Sequence, residues 1–218
     1  MREASTADTS AREASFRENV YGDLSNVVRI KGRDRLTLLG VLDALALPGT
    51  CAVLLFRIAV VFHRLGLRPL SRMLYFLNVV LFGAALHPAA RVGPGLVVAH
   101  PVGMGWGKNF SCGRNATMTA GVRFGGAAAD DPARDGHPTL GDDVIMLDGS
   151  KAMGPVTIGD RAIVAANTLV LADVPAEAIM VGSPARIAKM RSDRRRRPDP
   201  VADARAELSA AVPDPWSV

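Results

Sequence analysis

Leu86 to Val122 reads LHPAARVGPGLVVAHPVGMGWGKNFSCGRNATMTAGV, and Leu140 to Val170 reads LGDDVIMLDGSKAMGPVTIGDRAIVAANTLV. Steps of six from Leu86 land on Val92, Val98, Met104, Phe110, Ala116 and Val122. The same step from Leu140 lands on Met146, Ala152, Ile158, Val164 and Val170. All these positions are apolar, which in a chain that is 49% hydrophobic is about a 1-in-10,000 coincidence for one frame. A period of six fits neither an amphipathic helix, at 3.6, nor a plain strand, at 2. It is the signature of a parallel β-helix, in which each repeat supplies one short strand and one turn and about three repeats close a triangular coil. Gly93, Gly105, Gly141 and Gly159 each follow a repeat position and let the turns close tightly. The core of such a coil is thin, in keeping with only Trp106, Phe110 and Phe124 as aromatics within it.

Around this body the sequence divides into further parts. Residues 1–35 are polar, rich in Ala, Ser, Glu and Arg, and read as a disordered arm without signal-peptide order. Residues 36–85 form an apolar helical segment interrupted by Asp43, Pro48 and Gly49. Met73 to Leu86 is shorter than the roughly 20 residues a membrane span needs. Arg57, His63, Arg64, Arg68 and Arg72 recur through this segment. Two readings stay open: helices packed on the coil, or a peripheral membrane contact through residues 50–85. The β-helix is expected over 86–187, with a loop at 125–139 (GGAAADDPARDGHPT) extruded from one corner. A basic, Pro-containing tail, 188–218, follows, with a short helix near residues 202–211.

The net charge of the 218-residue chain is +5. Arg186 to Arg197 alone carries +6, so the rest sums to −1. A basic face spread over a fold would point to nucleic acid; a short run beside the tail does not. Cys51 and Cys112 are too few for a disulfide framework and fit a reducing, cytoplasmic setting. Gly103, Gly105 and Gly107 match no nucleotide-phosphate loop, and no metal-ligand pattern stands out.

The stretches LLFRIAVVFHRLG, LHPAARVGPGLVVAHPVGMG, HPTLGDDV and VPAEAIMVGSPARI, in this order and spacing, resemble the serine acetyltransferase-like branch of the hexapeptide-repeat acyltransferases. The resemblance implies a mainly β protein built on a left-handed parallel β-helix, an exception to the right-handed crossover rule. It also implies a homotrimer that uses acetyl-CoA as donor and a small-molecule hydroxyl as acceptor. His100 matches the family's catalytic base, the group that takes the hydroxyl proton near neutral pH. His137 matches a second histidine, in the acceptor site. Gly125 and Gly126 match a glycine pair beside the pantetheine arm. Ser150, Lys151, Ala166, Arg186 and Lys189 fall where the donor binds, and the cations from Lys189 to Arg197 could pair with the CoA phosphates. His87 reads as structural and His63 as a surface residue.

The departures are specific. Ala85 and Ala99 stand where the family has acidic residues that orient the base or flank it, and Gly136 stands where it has an arginine for the serine carboxylate. Leu147, Asp148 and Ala165 occupy positions that the family fills with small residues or glycine. These changes leave open serine or a serine-like metabolite, a sugar hydroxyl of a polysaccharide, or a non-catalytic trimeric scaffold.

Overall fold

The computed structural model describes residues 14–33, 35–126 and 136–191. Four helices lead: α1 (Phe16–Ile30), α2 (Leu38–Leu45), α3 (Pro48–Arg64) and α4 (Arg68–Phe82). Helix α1 corrects the expected disordered arm. Ser15 and Glu18 close a capping box at its start, each side chain bonding the other residue's backbone N–H. Its buried face is largely polar, with Asn19, Asp23 and Asn26 beside Val27 and Val28, so a search for aliphatic periodicity passes over it. Residues 1–13 lie outside the described residues.

That polar face docks the helices on the coil. Asp23 pairs with Arg57 of α3 (Nε to Oδ2 2.9 Å), and its Oδ1 accepts from the backbone N–H of Gly95 and Leu96 at 2.9 and 2.8 Å. The other guanidinium nitrogens of Arg57 donate to the carbonyls of Val92 and Gly93, both at 2.6 Å. Burial pushes the Asp23 carboxyl up, against the pull of Arg57 and the backbone donors. Arg57 is therefore a packing residue. No single described helix is long and apolar enough to cross a membrane; α2 and α3 pass together on length and composition but bend by 91°. Leu38, Leu39 and Leu42 on α2 and Met73, Phe76 and Val80 on α4 are exposed.

The coil then climbs in turns. β1 (Ala85–Leu86), β2 (Arg91–Val92) and β3 (Val97–Val98) make the first; β4 (Gly105–Trp106), β5 (Ser111–Cys112) and β6 (Thr117–Met118) the second. β7 (Arg123–Gly125), β8 (Thr139–Leu140) and β9 (Ile145–Met146) make the third; β10 (Lys151–Met153), β11 (Thr157–Ile158) and β12 (Ile163–Val164) the fourth. β13 (Leu169–Val170) and β14 (Ala178–Val181) follow, and β15 (Arg186–Met190) closes the top by antiparallel pairing with β14. Strands of successive turns stack in parallel, so three faces form: β1-β4-β7-β10-β13, β2-β5-β8-β11 and β3-β6-β9-β12-β14. This is a three-sided parallel β-helix.

The register corrects the six-residue frame. Leu86 pairs with Trp106, Val92 with Cys112 and Val98 with Met118, so the strands of the second turn run two residues ahead of Met104, Phe110 and Ala116. Both sets are buried, because in a narrow prism the strand residue and the corner residue two before it both point inward. An apolar count cannot tell them apart. Trp106, Phe110 and Phe124 stack inside, with centroids 5.3 and 4.3 Å apart, and Phe56 of α3 meets Trp106 edge-on at 5.3 Å. The strand β15 extends the folded body to Met190, past the expected limit at 187. The loop residues 127–135 and the run Arg194–Arg197 lie outside the described residues.

Candidate active site

Two edges of the prism flank the first face. One carries the turns from the third face to the first: β3–β4, β6–β7, β9–β10 and β12–β13. The other carries the turns from the first face to the second: β1–β2, β4–β5, β7–β8 and β10–β11. The candidate residues divide between them.

His100 lies on the first of these edges, in the turn between β3 and β4. That turn is two residues longer than its counterparts above, and this insertion is the origin of the register shift. His100 is exposed, and its ring makes no hydrogen bond among the described residues. Its backbone is nevertheless held firmly. Ala99 N–H donates to Met118 O at 3.0 Å and Gly103 N–H to Gly83 O at 3.0 Å. Gly49, in the first turn of α3, presses on the strand just before it. A methyl there would fall 1.8 Å from the Val98 carbonyl oxygen, so only glycine lets the helix seat. Above His100 the turn residues Gly103, Gly121, Gly149 and Asn167 all hold positive φ (77, 69, 69 and 56°) and stack in one column. Lys151 and Ala166 are exposed along this edge.

Ser150 shares the edge but faces inward. It is fully buried, and its hydroxyl has no hydrogen-bond partner among the described residues. It stands to Ala152 as Val122 stands to Phe124, two residues before a strand centre, so its side chain does not line a donor groove. Asp148 bonds the turn below, accepting from Ala120 N–H at 3.0 Å, and thus does structural work. Arg186 and Lys189 are exposed on β15, at the top of the third face. Arg191 is buried and donates to the Arg161 carbonyl at 3.1 Å, which removes it from the cations that could meet a phosphate.

His137 lies on the other edge, with Gly125 and Gly126. Its ring fills the space over two glycines: a methyl on Gly107 would sit 2.8 Å from Nε2, and one on Gly126 3.5 Å from Cε1. Its Nδ1 is buried without a hydrogen-bond partner among the described residues. Gly136 packs under Pro155. Below, on the same edge, are Lys108 and His87. His87 Nδ1 accepts from Ala89 N–H at 3.1 Å, which leaves the proton of the neutral ring on Nε2. Burial, followed by the charges of His63, Lys108 and Arg72, holds the His87 pKa below its usual value. These residues border a cavity of about 740 Å³ between α3, α4 and the coil. The cavity escaped the sequence reading, although one signal was present: no Asp or Glu occurs between Asp43 and Asp130.

One chain thus holds an exposed imidazole on one edge and a wedged imidazole on the next, a full face apart. An exposed neutral imidazole can accept a hydroxyl proton, and no group of His, Cys, Asp and Glu suited to a metal ion occurs among the described residues.

No protein-family model matches the chain. It is 32% identical over 171 residues to the serine acetyltransferase of Bacillus pumilus, covering 75% of this chain and 78% of the relative. Among solved structures it is similar to the Neisseria gonorrhoeae serine acetyltransferase in complex with serine, with a TM-score of 0.69 and 31% identity over 79% of this chain and 68% of that one. It is also similar to the Brucella abortus serine acetyltransferase in complex with coenzyme A, with a TM-score of 0.71 and 27% identity over 80% and 68%.

Proposed function

Since the chain belongs to the serine acetyltransferase family, we propose that it transfers the acetyl group of acetyl-CoA to the hydroxyl of serine or a serine-like metabolite, with His100 as general base. The observation that carries this reading is the lengthened β3–β4 turn, which exposes one imidazole at the foot of a column of small turn residues.

In the proposed reaction the acceptor hydroxyl attacks the thioester carbonyl as His100 takes its proton. Backbone N–H groups of the turn stabilise the oxyanion. Collapse breaks the C–S bond, and the leaving thiolate recovers the proton from the imidazolium. With Ala85 and Ala99 in place of carboxylates, no acidic side chain at those positions orients the His100 ring. Lys151 and Ala166 flank the donor, and Arg186 and Lys189 meet its phosphates.

The reading includes a left-handed coil and a homotrimer. Since His100 and His137 lie on different edges of one chain, trimer packing is what would join one chain's His100 to the His137, Gly125 and Gly126 of another. A cytoplasmic location belongs to the same reading, as does peripheral membrane contact through residues 50–85, where Met73, Phe76 and Val80 of α4 are exposed.

One observation favours a sugar hydroxyl as the acceptor: Gly136, packed under Pro155, offers no side chain to a carboxylate. The test is thiol release from acetyl-CoA with serine, homoserine and a panel of sugars, in wild type and His100→Ala. Serine-dependent release lost in the variant supports the main reading, and sugar-dependent release supports the second. No acceptor-dependent release with any of them would leave a trimeric scaffold.

A further inference from the structure

The cavity beside α4 is lined by Arg68, Arg72, Lys108, His63 and His87, with Tyr75 and Ser71 completing its wall. Among the described residues no carboxylate lines it, and the chain carries no acid from residue 44 to 129. Arg68, Arg72 and Lys108 form no ion pair among the described residues. Burial first, and then the neighbouring charges of this wall, lower the pKa of His87. Helix α4 begins at this point with no side chain capping its N-terminus. Uncompensated charge gathered around a concave wall is the arrangement that a multiply charged anion satisfies, and guanidinium groups pair with phosphate through two parallel hydrogen bonds.

We propose that this cavity binds a phosphate group, held by Arg68, Arg72 and Lys108. At about 740 Å³ it exceeds a bare phosphate and has room for a small phosphorylated molecule. Its position suggests two sources. Lys108 adjoins Gly107, against which the His137 ring rests, so a soluble phosphate ester would reach toward the acceptor side. Met73, Phe76 and Val80 of α4 are exposed next to Arg72, so a lipid headgroup could also supply the phosphate.

The test uses the full-length protein and needs no turnover, so its outcome is separate from that of the proposed transferase activity. Inorganic phosphate is titrated by calorimetry at constant ionic strength, with chloride as the control. Saturable binding is expected, weakened about tenfold in either Arg68→Ser or Arg72→Ser and more in the double variant. Both arginines are exposed, and unchanged melting temperatures establish that the variants fold. Sedimentation with phosphatidylglycerol and phosphatidylcholine vesicles separates the sources. Capture by the anionic vesicles alone, competed by phosphate and lost in the double variant, identifies a headgroup; phosphate binding without capture identifies a soluble ester. A flat phosphate titration, or binding unchanged in the double variant, overturns the proposal.

Discussion

The two edges that border the first face are built from one six-residue repeat, yet they close in opposite ways. The His100 edge is regular above its first turn: left-handed residues stack through Gly103, Gly121, Gly149 and Asn167, and backbone bonds link each turn to the next. The His137 edge has no such column among the described residues. It carries a long insertion, a histidine wedged over Gly107 and Gly126, and a cationic cavity at its base. A regular edge offers a long, uniform surface on which a single irregularity, the two added residues at His100, places an exposed imidazole. An irregular edge offers pockets shaped by particular side chains.

The largest expected effect contrasts the two histidines. His100→Ala lowers kcat for CoA release by about 10²- to 10⁴-fold with an unchanged melting temperature, since the ring is exposed and makes no hydrogen bond among the described residues. His137→Ala chiefly raises the KM for the acceptor. Mixing and refolding the two variants together restores sites with the wild-type acceptor KM if the edges meet between chains, and none if each chain works alone.

The next effect concerns backbone conformation. Gly121→Ala places a side chain at φ 69° and costs roughly 1–2 kcal/mol, read in chemical denaturation. Gly126→Ala on the other edge meets described neighbours at ordinary contact distances, 3.4 Å and beyond, and changes stability by less than about 0.5 kcal/mol. Similar costs for both would erase the distinction between the edges.

Asp148→Ala removes the acceptor of the Ala120 N–H bond and costs about 1 kcal/mol, a loss that Asp148→Asn largely recovers. The smallest effect is a pH dependence at the base of the His137 edge. The folded-state pKa of His87 lies below its usual value of 6.5, so the unfolded chain takes up the proton first. Stability therefore falls as pH drops below 6.5, and in His87→Asn that fall is shallower.

Much of this architecture was legible because a repeat averages over its own errors. Thirteen-residue stretches such as Leu140 to Ala152 suffice to announce the period, whatever the loop at 125–139 contributes. Residues whose role depends on a single contact were not legible. Asp23 in α1 looks like any polar residue of a solvated arm until Arg57, 34 positions away, closes on it. Ser150 looks like a groove residue because sequence does not distinguish inward from outward at a corner.

The sequence by itself determined the coil, the helical segment before it and the family resemblance that singled out His100 and His137. These rest on periodicity and local spacing, which are properties of the chain read in order. Only the tertiary structure decided that the second turn is shifted by two residues, that α1 is a docked helix, that the two histidines occupy separate edges, and that a cationic cavity opens beneath one of them. Each of these depends on which distant residues a turn of the prism brings together, and a two-residue insertion in one turn shifts the pairing between the first and second turns while leaving the apolar pattern intact.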